Sequence, residues 1–130
     1  MILLDSDVLI DLLRKHPPAA AWFGTLPEDE EVAVSGYVVM ELIQGCRNKV
    51  EQDRVQRALA SYGVVWLSEA DCDAALGVFA AFRLSHNAGL LDVLIGQTAI
   101  ALGEPLHTFN QKHYRFIPGI QTVQPYAKSS

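Results

Sequence analysis

The stretch LLDVLIGQTAIAL at 90–102 is apolar on nearly every side of a helix and closes on Gly103. A helix without a polar face must be covered by other elements, so this one belongs in the centre of a fold. The most apolar part, 93–103, is shorter than the roughly 20 residues that span a bilayer, so its cover is protein. Asp92 is the one charge within the stretch, and it opens the helix.

Around this helix, short apolar runs alternate with helical periodicity. Runs at 1–4, "VAVS" at 32–35, "VVWL" at 64–67, "PLHTF" at 105–109 and "IQTVQ" at 120–124 read as strands. Helices are expected over 8–15, 19–26, 37–45, 49–61 and 69–86, with Pro17 and Pro18 stopping the first and Gly45 ending the third. Alternating strands and helices imply an α/β fold of three layers, α/β/α, with a mostly parallel central sheet. The 130 residues suit a single domain over 1–130, with 126–130 as a flexible tail.

A formal net charge of −5 excludes a global positive field for nucleic acid or anionic membrane, so contact with nucleic acid must be local or bridged by metal. Cys46 and Cys72 match no zinc or redox spacing and read as reduced core thiols. With no basic N-terminal segment ahead of the first apolar run, a cytoplasmic protein without membrane association is expected. Trp22, Phe23, Phe79 and Phe82 offer more apolar surface than a small monomer leaves in water, which points to a homodimer.

Three carboxylates stand where apolar residues dominate: Asp5 after "ILL", Glu41 inside "YVVMELI" and Asp92 inside "GLLDVLIG". Charged groups are rarely buried without partners. In a parallel sheet, strand ends and the helices that follow them share the carboxyl edge, where ligands bind. All three acids map there, and Asn110, after "PLHTF", joins them. Clustered carboxylates resist joint ionisation unless a divalent cation neutralises them, and an all-oxygen donor set favours magnesium or manganese. The chemistry implied is metal-assisted displacement at phosphorus. Helix capping is the structural alternative for Asp5 and Asp92, but it does not reach Glu41, which lies past the first turn of its helix. Asp7 is close enough to the edge to support the site, whereas Asp11 is expected to face solvent.

"LLDSDVLID", "VVMELIQG", "GLLDVLIGQTA" and "HTFNQKHYRFIPGI", in this order, resemble the motifs of PIN domains, specifically the VapC-type ribonuclease toxins of toxin-antitoxin systems. The resemblance covers nearly the whole chain. It implies Asp5, Glu41 and Asp92 as metal-binding acids, with Asn110 where many members carry a fourth aspartate. An amide there adds no charge, so a second metal would bind weakly without substrate phosphate. Ser6 stands in place of the usual threonine, and Thr108 matches the hydroxyl residue before the fourth position. His113 is expected to contact RNA or serve structure.

The resemblance further implies an endoribonuclease for structured RNA and a cognate antitoxin. Arg14, Lys15, Arg47, Lys49, Lys112 and Arg115 are the candidate phosphate contacts. Two rivals share the early acids. A haloacid-dehalogenase-like phosphatase needs a later strand-end lysine, and a response-regulator receiver needs an aspartate after the third strand. Neither is present. An inactive PIN-like module that only binds partners is the remaining alternative.

Overall fold

The computed structural model describes residues 1–128. Five strands, β1 (Ile2–Leu4), β2 (Val32–Ser35), β3 (Gly63–Val65), β4 (Leu106–His107) and β5 (Thr122–Val123), form one sheet in the order β3-β2-β1-β4-β5. Every pairing is parallel, with Leu4 opposite Val34 on one side and His107 on the other. Parallel strands need crossovers, and the described residues supply seven helices: α1 (Ser6–Leu13), α2 (Pro17–Gly24), α3 (Gly36–Gln44), α4 (Lys49–Leu59), α5 (Glu69–His86), α6 (Leu90–Leu102) and α7 (Gln111–Tyr114). The three-layer α/β/α expectation holds.

β1 and β4 flank the point where strand order reverses, since the chain runs outward through β2 and β3 and then returns to the other side of β1. Such a switch point leaves a crevice at the carboxyl ends of the strands. Asp5 follows β1 and Thr108 follows β4, and the Asp5 N–H donates to the His107 carbonyl at 3.0 Å. The first two acids of the chain therefore sit at the crevice because the "ILL" strand is central.

The core is built from Leu3, Leu4, Val8, Leu9, Val34, Val38, Ile95, Leu106 and Ile117, all essentially sealed from solvent. As its sequence required, α6 is buried along Val93 and Ile95–Ala99. Gly96 lets Ile117, Ile120 and Tyr114 approach: a Cβ there would lie 2.5 Å from the Ile117 Cδ1.

Five local expectations change. "PLHTF" pairs only over Leu106–His107, because Thr108 and Phe109 turn their polar groups to acids on α1 and its cap. The four-residue α7 was not anticipated. The third strand ends at Val65, with Trp66 packing edge-on to Tyr37 at 5.4 Å. The expected tail at 126–130 is anchored as far as Lys128: the Tyr126 hydroxyl donates to Asp11 at 2.7 Å, and the Lys128 ammonium lies 3.3 Å from the same carboxylate and 4.3 Å from the Phe109 ring centroid. Ser129 and Ser130 lie outside the described residues. Asp11 is consequently half-covered, not solvent-facing, and these contacts hold its carboxyl below the usual range despite the opposing effect of burial.

Candidate active site at the carboxyl edge of the sheet

Asp5 caps α1 and is only 2 % exposed. Its Oδ1 accepts the Ser6 N–H at 2.7 Å, and its Oδ2 accepts two hydroxyls, Thr108 at 2.8 Å and Tyr114 at 2.9 Å. Burial, reinforced by the neighbouring Asp7, pushes its carboxyl up to about 6. Ser6 thus supports Asp5 through its backbone, whereas the sequence suggested its hydroxyl. Asp7 accepts the Phe109 N–H at 2.8 Å and lies 3.4 Å from the Thr108 hydroxyl, so Thr108 bridges both acids. Burial raises Asp7 as well, against the pull of these hydrogen bonds and of Lys128.

Asp92, in the first turn of α6, is raised by burial and by the charge of Glu41 from α3, while His113 lowers it. Tyr114 connects the two sides. Its ring is buried, and its hydroxyl is held protonated by burial and by the fields of Asp5, Asp92 and Glu41. Its contact is with Asp5, and Asp92 and Glu41 act on it through their charge alone. The sequence reading missed Tyr114; its only signal was a tyrosine on the apolar side of the last motif, where a core role is the ordinary reading.

The acids share one edge without forming a finished cage. Among the described residues, no three His, Cys, Asp or Glu side chains are grouped so as to hold an ion by themselves. Asp5 is turned inward onto Thr108 and Tyr114. The donor set nonetheless fits a hard cation. It is all oxygen, and its buried acids are held toward neutrality by burial and by one another, which a cation would relieve. Magnesium ordinarily keeps several waters and takes one or two carboxylates plus substrate phosphate, so a complete protein cage is not required.

The sequence matches the PIN domain family over residues 2–117. The chain is a PIN-domain protein. Among curated relatives, it is 39% identical over 126 residues to Ribonuclease VapC10 of Mycobacterium tuberculosis, covering 96% of this chain and 92% of the relative. Ribonuclease VapC19 of the same organism is 34% identical, with 93% and 98% covered. Among solved structures, the fold is similar to VapBC-1 from nontypeable Haemophilus influenzae, with a TM-score of 0.76, 25% identity, and 96% and 98% of the two chains covered. A toxin-antitoxin complex from Klebsiella pneumoniae gives a TM-score of 0.72 at 27% identity, with 97% and 98% covered.

On this PIN fold the candidate cations divide. Lys112 and Arg115 line a cleft of about 470 Å³ with Asp92 and His113. Arg14 lines a second groove of about 380 Å³ with Glu41, where it is joined by Arg54, which the sequence reading did not select. Arg47 and Lys49 instead pair with Glu51 and Asp53 on exposed α4 at 3.0 and 3.4 Å, the ordinary spacing of surface helix pairs. Lys15 is exposed just past α1, in the left-handed region at φ 57°. Asn110 is exposed; its backbone N–H donates to the Thr108 hydroxyl at 3.0 Å, and its side chain makes no capping bond to α7. No described helix is long and apolar enough to cross a membrane.

Proposed function

We propose that this PIN-domain protein is a divalent-metal-dependent endoribonuclease, the toxin of a toxin-antitoxin pair, acting on structured RNA in the cytoplasm. One observation carries the reading: Asp5, with Asp7 beside it, ends the central strand at the switch point, and Asp92 feels the charge of Glu41, in a chain 39% identical to Ribonuclease VapC10. Magnesium or manganese, when bound, supplies neutralising charge at the phosphate and acidifies the attacking water. Asp5, Glu41 and Asp92 are the carboxylates that would hold such an ion. Thr108 and Tyr114 fix the Asp5 carboxylate, and the Phe109 N–H fixes Asp7, so little reorganisation is left for the moment of reaction. Asn110, at the rim, offers an amide oxygen to water or metal without adding charge.

The similarity to VapBC-1 supports a cognate antitoxin as the partner, and we propose that a segment of it covers the acidic edge. A homodimer remains our expectation, on partly different residues. Phe82 packs on Phe116 and Trp22 on His107 and Tyr126, whereas Phe23 stays exposed and is joined by other large apolar side chains, among them Leu76, Trp66, Leu90 and Leu84, the last at 94 %. Sedimentation as a monomer at micromolar concentration would argue against pairing.

Purified protein incubated with total RNA and magnesium, followed by end mapping, tests the activity. Discrete new ends that vanish with chelator and with Asp92→Asn are expected. Intact RNA with the wild-type protein, or equal cutting by the variant, would refute it.

A further inference from the structure

The cleft beside Asp92 has two unlike walls. One is cationic, with Lys112 and Arg115 flanking His113. Among the described residues neither Lys112 nor Arg115 has a carboxylate within 4.0 Å, although the chain as a whole carries a net charge of −5. Lys112 and Arg115 thus bring positive charge to the cleft that no close ion pair neutralises, and an anion placed beside them is attracted.

The other wall is aromatic. His86, the last residue of α5, is exposed and lines the cleft beside Phe116. Its ring lies 5.9 Å from Phe116 at 32° and 5.2 Å from Phe82 at 80°, and its Nδ1 is 2.7 Å from the Ser85 hydroxyl. Phe82 and Phe116 also touch, at 5.5 Å. Two mutually packed rings, Phe82 and Phe116, therefore hold the imidazole in place, and its exposed surface remains available to a planar guest.

We propose that this cleft seats one unpaired nucleotide next to the scissile phosphate, with its base stacked on His86 and Phe116 and its phosphate held by Lys112 and Arg115. The inference rests on the ribonuclease reading and names the part of the RNA that the site takes. A volume of about 470 Å³ falls within the range of small-ligand pockets, and Asp92 on the lining places the guest beside the reacting phosphate. Stacking accepts any base because every base has a π-face. This wall therefore selects for a splayed, single-stranded nucleotide, as found in loops, and not for base identity.

The test uses a short RNA containing the mapped cut site, with an abasic residue placed in turn on either side of it. For the wild-type protein, one of the two abasic positions is expected to lower kcat/KM about 5- to 100-fold. His86→Ala is expected to lower it comparably on the intact RNA and to lose its response to the abasic change. His86→Phe restores both. Lys112→Gln and Arg115→Gln keep the abasic response but each reduce the slope of log affinity against log salt by about 0.7. Equilibrium binding of short single-stranded RNAs with and without an abasic residue needs no cut site and separates the two claims. Binding that depends on His86, in a wild-type protein that cuts nothing, sinks the ribonuclease reading and upholds the seat. A cleaving wild-type protein whose His86→Ala variant is still fully penalised by the abasic residue overturns the seat, as does a His86 effect confined to antitoxin binding.

Discussion

Replacing Asp5 by asparagine is expected to make the metal-free protein more stable near neutral pH. The folded chain raises this carboxyl from 3.8 to about 6, so it holds the proton more tightly than the unfolded chain does. The stability linked to Asp5 is therefore fully present below about pH 4 and is lost as pH rises through 6. At pH 7 the cost of the ionised, buried side chain is about 3 kcal/mol. Asparagine keeps the shape and removes the charge. With its amide nitrogen in place of Oδ2 it can donate to the Thr108 and Tyr114 oxygens, while its carbonyl accepts the Ser6 N–H; the Tyr114 O–H loses its acceptor, so the gain falls short of the full cost of the charge. For a chain of this size, about 3 kcal/mol corresponds to roughly 10 °C in Tm as a ceiling. Thermal melts in chelator from pH 4 to 8 should show Asp5→Asn melting above the wild-type protein at pH 7, with the gap closing toward pH 4. Magnesium should narrow the gap at pH 7 by stabilising the wild-type protein alone. A variant that melts below the wild-type protein at pH 7, or a gap of the same size at both ends, would refute the reasoning.

Three further outcomes are expected. Glu41→Gln should cut the cleavage rate at least about 100-fold with little change in melting temperature, since its carboxylate lines an open groove and supports no fold contact that the amide would break. Asn110→Asp should lower the magnesium concentration for half-maximal cleavage and Asn110→Ala should raise it, as read by metal titration, because the first adds charge facing the cation and the second removes an oxygen. Gly96→Ala should lose about 1–3 kcal/mol in urea unfolding, because the added methyl meets Ile117 and Ile120 in a packed core.

The acids were legible because a carboxylate in an apolar run violates the ordinary pattern. Asp5, Glu41 and Asp92 each break a stretch that burial would otherwise keep uncharged, and strand order alone carried them to one edge. Their supports were harder to read. Tyr114 looks like any core aromatic until its hydroxyl is placed against Asp5, and the donor to Asp7 is a backbone N–H at Phe109, which no side chain announces. Thr108 was found only through motif resemblance. Surface charge was the least legible: Arg47 and Lys112 look alike in sequence, yet one pairs with Glu51 on an exposed helix and the other faces the Asp92 cleft. Apolar exposure misled for a related reason. Phe82 and Trp22 are covered by Phe116 and Tyr126, residues from distant parts of the chain that local periodicity does not see.

The central claim is that the carboxylates at this edge bind a divalent cation and cut RNA as one unit. The most direct measurement is the single-turnover cleavage rate on the mapped RNA across a magnesium titration, for the wild-type protein and for Asp5→Asn, Glu41→Gln and Asp92→Asn, with melting curves recorded in parallel. The account predicts a saturable magnesium dependence in the wild-type protein and loss of cleavage in all three variants while each remains folded. Magnesium-independent cleavage, or a folded variant that cuts at close to the wild-type rate, would contradict it.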